Sequence, residues 1–231
     1  MNVTLTRKIA ALTIAASAAI APVAASTSAS ASQPTAKTST FTAQVWADNW
    51  FALYVNGKKV GQDSVPITTE RSFNSETITF TATYPLTIGI QGKDYTENAS
   101  GLEYIGTAKQ QIGDGGLIAQ IRDNKTGKIV AATNGSWKTL VLNEAPLNPT
   151  CVTSSNPLTD CKSSTTSEPK NWSAASYSTK GWSNASVYTA AEVGVKEGYN
   201  DISWDSSAKL IWGPDLKLDN SILFRTTVTK K

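Results

Sequence analysis

Short apolar segments with strict alternation, separated by turn sequences, constrain the fold of this chain more than any other feature. In residues 50–55 the apolar side chains of Phe51, Leu53 and Val55 occupy alternate positions. This period of two is typical of a half-buried β-strand. Asn56-Gly57 follows directly, and this dipeptide is the strongest short signal for a β-hairpin. The segment therefore predicts a strand, a tight turn and a return strand.

Strand patterns recur along the rest of the chain. Further segments with strand character lie at 77–84, 86–90, 115–123, 128–133, 137–142, 209–212 and 221–228. No amphipathic pattern extends over three helical turns, and only residues 174–177 and 190–193 favour short helical pieces. Many short strands joined by turns predict an all-β protein, either a sandwich or a barrel.

The N-terminus has the pattern of a secretory signal peptide. Arg7 and Lys8 precede an apolar run, which small residues follow, and cleavage after Ala25 or Ala31 fits this pattern. A membrane anchor is the alternative, but the run is weaker than the roughly 20 strongly apolar residues that a span needs. We therefore expect residues 1–31 to be removed and the protein to be secreted, periplasmic or bound to the cell surface, with no membrane span.

The two cysteines fit an exported protein. Cys151 and Cys161 enclose a polar loop, and in an oxidising compartment they are expected to form a local disulfide. They lie in a long segment, residues 143–171, that is rich in Pro, Ser and Thr. We predict a flexible lead-in at residues 32–40 and one domain over residues 41–231, because no later break in composition divides the chain.

Composition excludes several classes of function. The chain has no histidine, which excludes a Ser-His-Asp triad, an imidazole base and a His-ligated metal. Without Arg7 and Lys8, 19 basic residues stand against 18 acidic ones, so no excess of charge favours nucleic acid. Neither a Gly-x-Ser-x-Gly elbow nor a P-loop occurs, and we expect no enzymatic activity.

Four motifs occur in an order that resembles a known family. They are the hairpin at 47–58, the Ser-Trp-Lys strand at 134–138, the Trp-Ser-Asn-Ala segment at 181–185, and the closing strand pair at 208–212 and 219–225. Together they resemble galactose-binding-like jelly rolls, which are accessory domains of bacterial glycoside hydrolases such as rhamnosidases. The resemblance implies a single jelly-roll β-sandwich domain, here a stand-alone secreted version, and a non-catalytic carbohydrate-binding module.

Aromatic side chains beside polar ones are the candidate ligand-binding residues. Trp50 and Tyr54 lie on the face of their strand opposite to its apparent core face, and Trp172 lies in a loop-like context. Sugar rings stack on exposed aromatic rings. We predict that these rings bind a glycan or cell-surface polysaccharide, with Asp48 and Asn49 orienting its hydroxyl groups. The alternative interpretation is that such rings pack in the core, and we expect this of Trp137, Trp182 and Trp212.

Loop carboxylates are the candidate metal ligands. Asp94, Glu103 and Asp114 lie in stretches that also contain glycine and amide side chains. Calcium takes six to eight oxygen ligands, including carboxylates and backbone carbonyls. These residues could hold calcium, the one cofactor that we consider, or could simply form turns and contact water.

Three functions therefore remain open from sequence alone. The first is an exported carbohydrate-binding module at the cell surface or in the medium. The second is a surface protein that binds calcium or another metal, although copper and iron fit poorly without histidine. The third is a structural or assembly protein of the envelope with a protein partner.

Overall fold

The structure, a computed structural model, describes residues 37–230 together with Met1. The signal peptide predicted at residues 1–31 lies outside the described residues, as does most of the lead-in predicted at residues 32–40. Residues 37–230 belong to one compact unit. Their helices are all too short to carry an apolar stretch across a lipid bilayer.

Most of the regular structure is β-strand. In chain order the strands are β1 (Ser39–Asp48), β2 (Trp50–Val55), β3 (Lys58–Gln62), β4 (Asn74–Ala82), β5 (Leu86–Lys93), β6 (Leu102–Glu103), β7 (Gln111–Ile112), β8 (Gly116–Asp123), β9 (Ile129–Ala132), β10 (Lys138–Glu144), β11 (Ser164–Thr165), β12 (Ser183–Asn184), β13 (Ser186–Tyr188), β14 (Leu210–Trp212) and β15 (Asp219–Val228). The helices are α1 (Pro157–Asp160) and α2 (Ala190–Val193), with 3-10 turns at Pro149–Thr153 and Tyr199–Asp201.

Two antiparallel sheets form the body of the protein. The first has the order β13-β14-β8-β1-β4, with β9 also paired to β8, and the second has the order β11-β10-β15-β5-β2-β3, with β12 also paired to β10. Strands β6 and β7 form a separate ribbon. Because β1 and β2 belong to different sheets, the chain crosses from one sheet to the other at Asp48 and Asn49.

The main core lies between the two sheets. Alternate residues of β1, such as Phe41 and Val45, and alternate residues of β2, such as Phe51 and Leu53, are buried in one cluster with Trp212. Burying one such side chain contributes about 1.5–3 kcal/mol to folding. The period of two read from the sequence thus marks the faces that meet, and the all-β sandwich prediction is confirmed.

Loops cover the outer faces of both sheets. Trp46 packs with Val193 in a second buried cluster on the outer face of the first sheet, and Trp172 packs with Trp182 in a third cluster. The expectation that Trp137, Trp182 and Trp212 are core residues is confirmed, because all three are buried.

The hairpin predicted at Asn56-Gly57 is confirmed. Both residues have positive φ, at 51° and 82°, as the tight turn between β2 and β3 requires. The Asn56 side chain fixes the turn, because its Oδ1 accepts a hydrogen bond from the Thr87 N–H and its Nδ2 donates one to the Thr83 carbonyl. The short helix expected at 190–193 is present as α2, whereas residues 174–177 form turns and no helix.

The disulfide predicted between Cys151 and Cys161 is also confirmed. The two cysteines form a small buried cluster with Leu102 of β6. Gln110 adds hydrogen bonds from its Nε2 to the carbonyl oxygens of Val152, at 2.7 Å, and Ser154, at 2.9 Å. The disulfide loop therefore supports the ribbon formed by β6 and β7.

Candidate functional site: an acidic cluster where the sheets meet

Four carboxylates and one ammonium group converge near the crossing from β1 to β2. We call the set of Asp48, Asp94, Glu103, Asp114 and Lys196 the acidic cluster. Asp48 ends β1, Asp94 directly follows β5, Glu103 lies on β6, Asp114 lies between β7 and β8, and Lys196 follows α2. The cluster therefore draws on both sheets, on the ribbon and on a surface loop.

Asn49 fixes the backbone on both sides of Asp94. Its N–H donates to the carbonyl of Lys93 at 2.9 Å, and its Oδ1 accepts from the N–H of Tyr95 at 2.6 Å. Its Nδ2 donates to the Glu70 carbonyl at 3.1 Å. The residue that follows Asp48 thus holds Asp94 in place, and this pairs the end of β1 with the end of β5.

Lys196 lies between two of the carboxylates. Its Nζ is 3.0 Å from Oδ2 of Asp48 and 3.2 Å from Oδ1 of Asp114, and it is 4.5 Å from the ring centre of Phe73. The Asp48 side chain is only 1% exposed, whereas those of Lys196 and Asp114 are 33% and 37% exposed. The cluster thus reaches solvent at Lys196 and Asp114.

Glu103 is held from within the ribbon. One of its carboxylate oxygens, Oε2, accepts a hydrogen bond from Nε2 of Gln111 at 2.8 Å, and the two residues are paired across β6 and β7. Leu102, its neighbour on β6, is fully buried against the disulfide. The position of this carboxylate therefore depends on the disulfide loop.

Asp94 has no hydrogen-bond partner for its carboxylate. The residue is 4% exposed, and both Oδ1 and Oδ2 are buried without a partner in the protein. Oδ2 lies directly against Gly113, the residue before Asp114. Buried polar atoms in proteins almost always have a partner, and a buried carboxylate without one is costly.

Burial and mutual repulsion raise the pKa values of these acids. Burial raises the pKa of Asp48 to about 8, although the Lys196 ammonium acts in the opposite direction. Burial raises the pKa of Asp94 well above its usual value, and the charges of Asp48 and Glu103 raise it further. The pKa of Glu103 is also raised, by burial, while its bond from Gln111 lowers it. One lysine does not balance the charge of four carboxylates here.

The predicted ligand-binding residues divide into two groups. Asp48, Asn49 and Trp172 are buried, and Nε1 of Trp172 donates to the Glu168 carboxylate at 2.8 Å. Trp50 and Tyr54 are half-buried. Their parity on β2 was predicted correctly, because Phe51, Leu53 and Val55 face the core instead.

The two half-buried rings each have a close neighbour. Nζ of Lys93 lies 5.3 Å from the ring centre of Trp50, and Tyr54 packs edge-on against Trp172 at 5.2 Å. Only these two of the five predicted ligand-binding residues offer surface to a ligand.

The predicted metal residues do come together. Asp94, Glu103 and Asp114 all belong to the acidic cluster, and sequence reasoning missed that Asp48 and Lys196 join them as charged partners. Within residues 37–230, no three acidic or cysteine side chains already stand in an arrangement that could hold a metal ion. The position of Asp48 at a strand end was a usable signal, whereas nothing in the sequence pointed to Lys196.

Comparisons with protein-family models, curated proteins and solved structures give no match for this chain. The resemblance to galactose-binding-like jelly rolls therefore remains a prediction, and function must be argued from the acidic cluster itself.

Proposed function

We propose that this is an exported β-sandwich protein that binds a calcium ion in the acidic cluster. The observation that carries the proposal is the buried Asp94 carboxylate without a hydrogen-bond partner, set among three further carboxylates. The export part rests on the signal-peptide pattern of residues 1–31, and the disulfide supports it because such bonds persist in oxidising compartments.

The energetics favour a bound cation over an empty cluster. Burying one ionised carboxylate costs several kcal/mol unless an opposite charge and hydrogen bonds compensate. Without a cation, Asp48, whose pKa is raised to about 8, takes up a proton near neutral pH, and burial raises the pKa of Asp94 in the same direction. A divalent cation would satisfy the free oxygens of Asp94 and offset two of the negative charges that Asp48, Asp94, Glu103 and Asp114 carry when ionised.

The chemistry of the donors favours calcium. The charged donors of the cluster are carboxylate oxygens, the chain has no histidine, and both of its cysteines are in a disulfide. Zinc and copper prefer nitrogen and sulfur ligands. Magnesium demands near-ideal octahedral geometry, whereas calcium accepts six to eight oxygens in flexible arrangements.

The test is calcium binding by the purified protein after treatment with a chelator. Calcium should raise the melting temperature of the wild-type protein by about 5–10 °C at a hundredfold excess over Kd. Asp94→Asn should lose this shift. Asp63→Asn is the matched control, because Asp63 is also buried with an unpartnered oxygen but lies outside the cluster. Absence of any shift in the wild-type protein, or a full shift in Asp94→Asn, would refute the proposal.

A second candidate function is carbohydrate recognition by a galactose-binding-like jelly roll. The half-buried rings of Trp50 and Tyr54 favour it. Both lie on β2, two and six residues after Asp48. Sugar rings stack on such surfaces. A glycan array with calcium, repeated with chelator, tests this function, and Trp50→Ala should abolish any binding without unfolding the protein. Absence of glycan binding both with calcium and with chelator would refute this second function.

A further inference from the structure

We propose that Lys196 is the built-in occupant of the calcium site, and that a divalent cation binds by displacing its ammonium group into a neighbouring cleft. This inference rests on the proposed function of the acidic cluster. It concerns how the site is occupied and regulated, and it makes Lys196 the residue that sets the affinity.

The Nζ atom of Lys196 lies between two carboxylates, as a bound cation would. It donates hydrogen bonds to Asp48 at 3.0 Å and to Asp114 at 3.2 Å. Calcium binds carboxylate oxygens at about 2.3–2.6 Å, so the two carboxylates need to close in by roughly 0.5–1 Å once the ammonium leaves.

The Lys196 side chain can leave the cluster while the backbone around it stays in place. The Lys196 segment is held on both sides, because α2 ends at Gly194 in a left-handed conformation and Gly198 packs on the backbone of β4. The carbonyl of Glu197 accepts a hydrogen bond from Nε1 of Trp46 at 2.9 Å. By contrast, the Lys196 side chain is one-third exposed on a flexible stem.

An open surface cleft of about 400 Å³ could receive the displaced ammonium group. It is lined by Phe73, whose ring centre is 4.5 Å from Nζ, and by none of the five residues of the acidic cluster. Its wall also includes Glu76, Glu197 and Asp201, of which Glu197 directly follows Lys196. Arg71 pairs with Glu197, but Asp201 is exposed at this cleft. A displaced ammonium group would thus leave Asp48 and Asp114 and lie near the exposed carboxylate of Asp201 at the surface.

The proposal predicts the effect of removing the ammonium group. If Lys196 occupies the site nine-tenths of the time, it lowers the apparent calcium affinity about tenfold. Lys196→Met keeps the apolar stem and should bind calcium about tenfold more tightly than the wild-type protein in a calorimetric titration. Lys196→Arg keeps the charge and should not gain affinity.

A second measurement reports on the side chain in the wild-type protein. Lysine acetylation followed by mass spectrometry should show faster modification of Lys196 with calcium than with chelator. The exposed Lys125 is the reference and should not change.

The outcomes separate the two proposals. Calcium binding by the wild-type protein with equal or weaker binding by Lys196→Met, or with unchanged acetylation of Lys196, would refute the displacement while leaving the site intact. Absence of binding by both proteins would refute the site itself.

Discussion

Gly113 lies so close to Asp94 that a Cβ atom at position 113 would overlap the Oδ2 atom of the aspartate. The absence of a side chain at Gly113 therefore leaves the space that the unpartnered carboxylate of Asp94 occupies. Because Asp94 is a short, buried side chain, its carboxylate could make room for such an atom only by leaving its place in the acidic cluster. The close approach of these two residues ties the ribbon of β6 and β7 to the end of β5.

Gly113→Ala should weaken calcium binding about tenfold, since the new methyl group would push the Asp94 carboxylate out of position. Calorimetric titration measures this change. Gly135→Ala is the matched control, because a methyl group there would first meet the side chain of Val187, at 3.3 Å, which is exposed and can shift slightly. Equal affinities for Gly113→Ala and the wild-type protein would contradict the assigned role of Asp94.

The pH dependence of stability should show the cost of buried acids outside the cluster. Burial raises the pKa of Asp219 from 3.8 to about 6, although its hydrogen bond from the Asp215 N–H lowers it. An acid with a raised folded-state pKa favours the folded state at low pH, so its contribution is lost as pH rises from about 4 to about 6.

In urea unfolding with chelator present, Asp219→Asn should therefore reduce the loss of stability between pH 4 and pH 7 by about 1–2 kcal/mol. The exposed Asp201→Asn serves as control. An unchanged pH profile for Asp219→Asn would show that water reaches this carboxylate freely.

Removal of the disulfide should affect both stability and the acidic cluster. The double variant Cys151→Ser with Cys161→Ser should lose about 2–3 kcal/mol of folding free energy, because a loop of ten residues is no longer closed. It should also bind calcium several-fold more weakly, because Leu102 next to Glu103 packs on the two cysteines. Thermal unfolding and calcium titration, repeated on the wild-type protein with a reducing agent, check both effects. Full calcium affinity in the less stable variant would show that the ribbon stands alone.

Truncation of Trp46 should cost the protein much more stability than truncation of Trp50. Trp46 is fully buried and donates from Nε1 to the Glu197 carbonyl, so Trp46→Ala should cost about 3–5 kcal/mol. Trp50 is half-buried on the outer face of β2, and Trp50→Ala should cost less than about 1.5 kcal/mol. Chemical unfolding of both variants measures the difference. A large loss for Trp50→Ala would place this ring in the folding core.

Local sequence patterns predicted the strands well but not the packing between them. The alternation in β2 and the turn at Asn56 identified one hairpin correctly, because both signals act between neighbouring residues. Trp46 and Trp50 share the outward-facing parity, but the chain changes sheets between them, so the two rings lie on the outer faces of different sheets. A pattern of period two carries no information about such a crossing.

The acidic cluster was only partly predictable for the same reason. Asp94, Glu103 and Asp114 could be predicted as candidate metal ligands, because they lie in glycine-containing loops within a short stretch of chain. Lys196 lies 148 residues from Asp48, and only the tertiary fold brings the two together. Asp48, predicted to orient a glycan's hydroxyl groups, is buried in the cluster, which the local sequence did not indicate.

The crossing from β1 to β2 has a mechanical consequence. Asp48 ends a strand of the first sheet, and Asp94 follows a strand of the second. An ion bound by both carboxylates would link the two sheets of the sandwich directly. Pulling the sheets apart would then require extracting the ion, so the force that the folded protein withstands, and its resistance to proteases, should rise and fall with the calcium concentration.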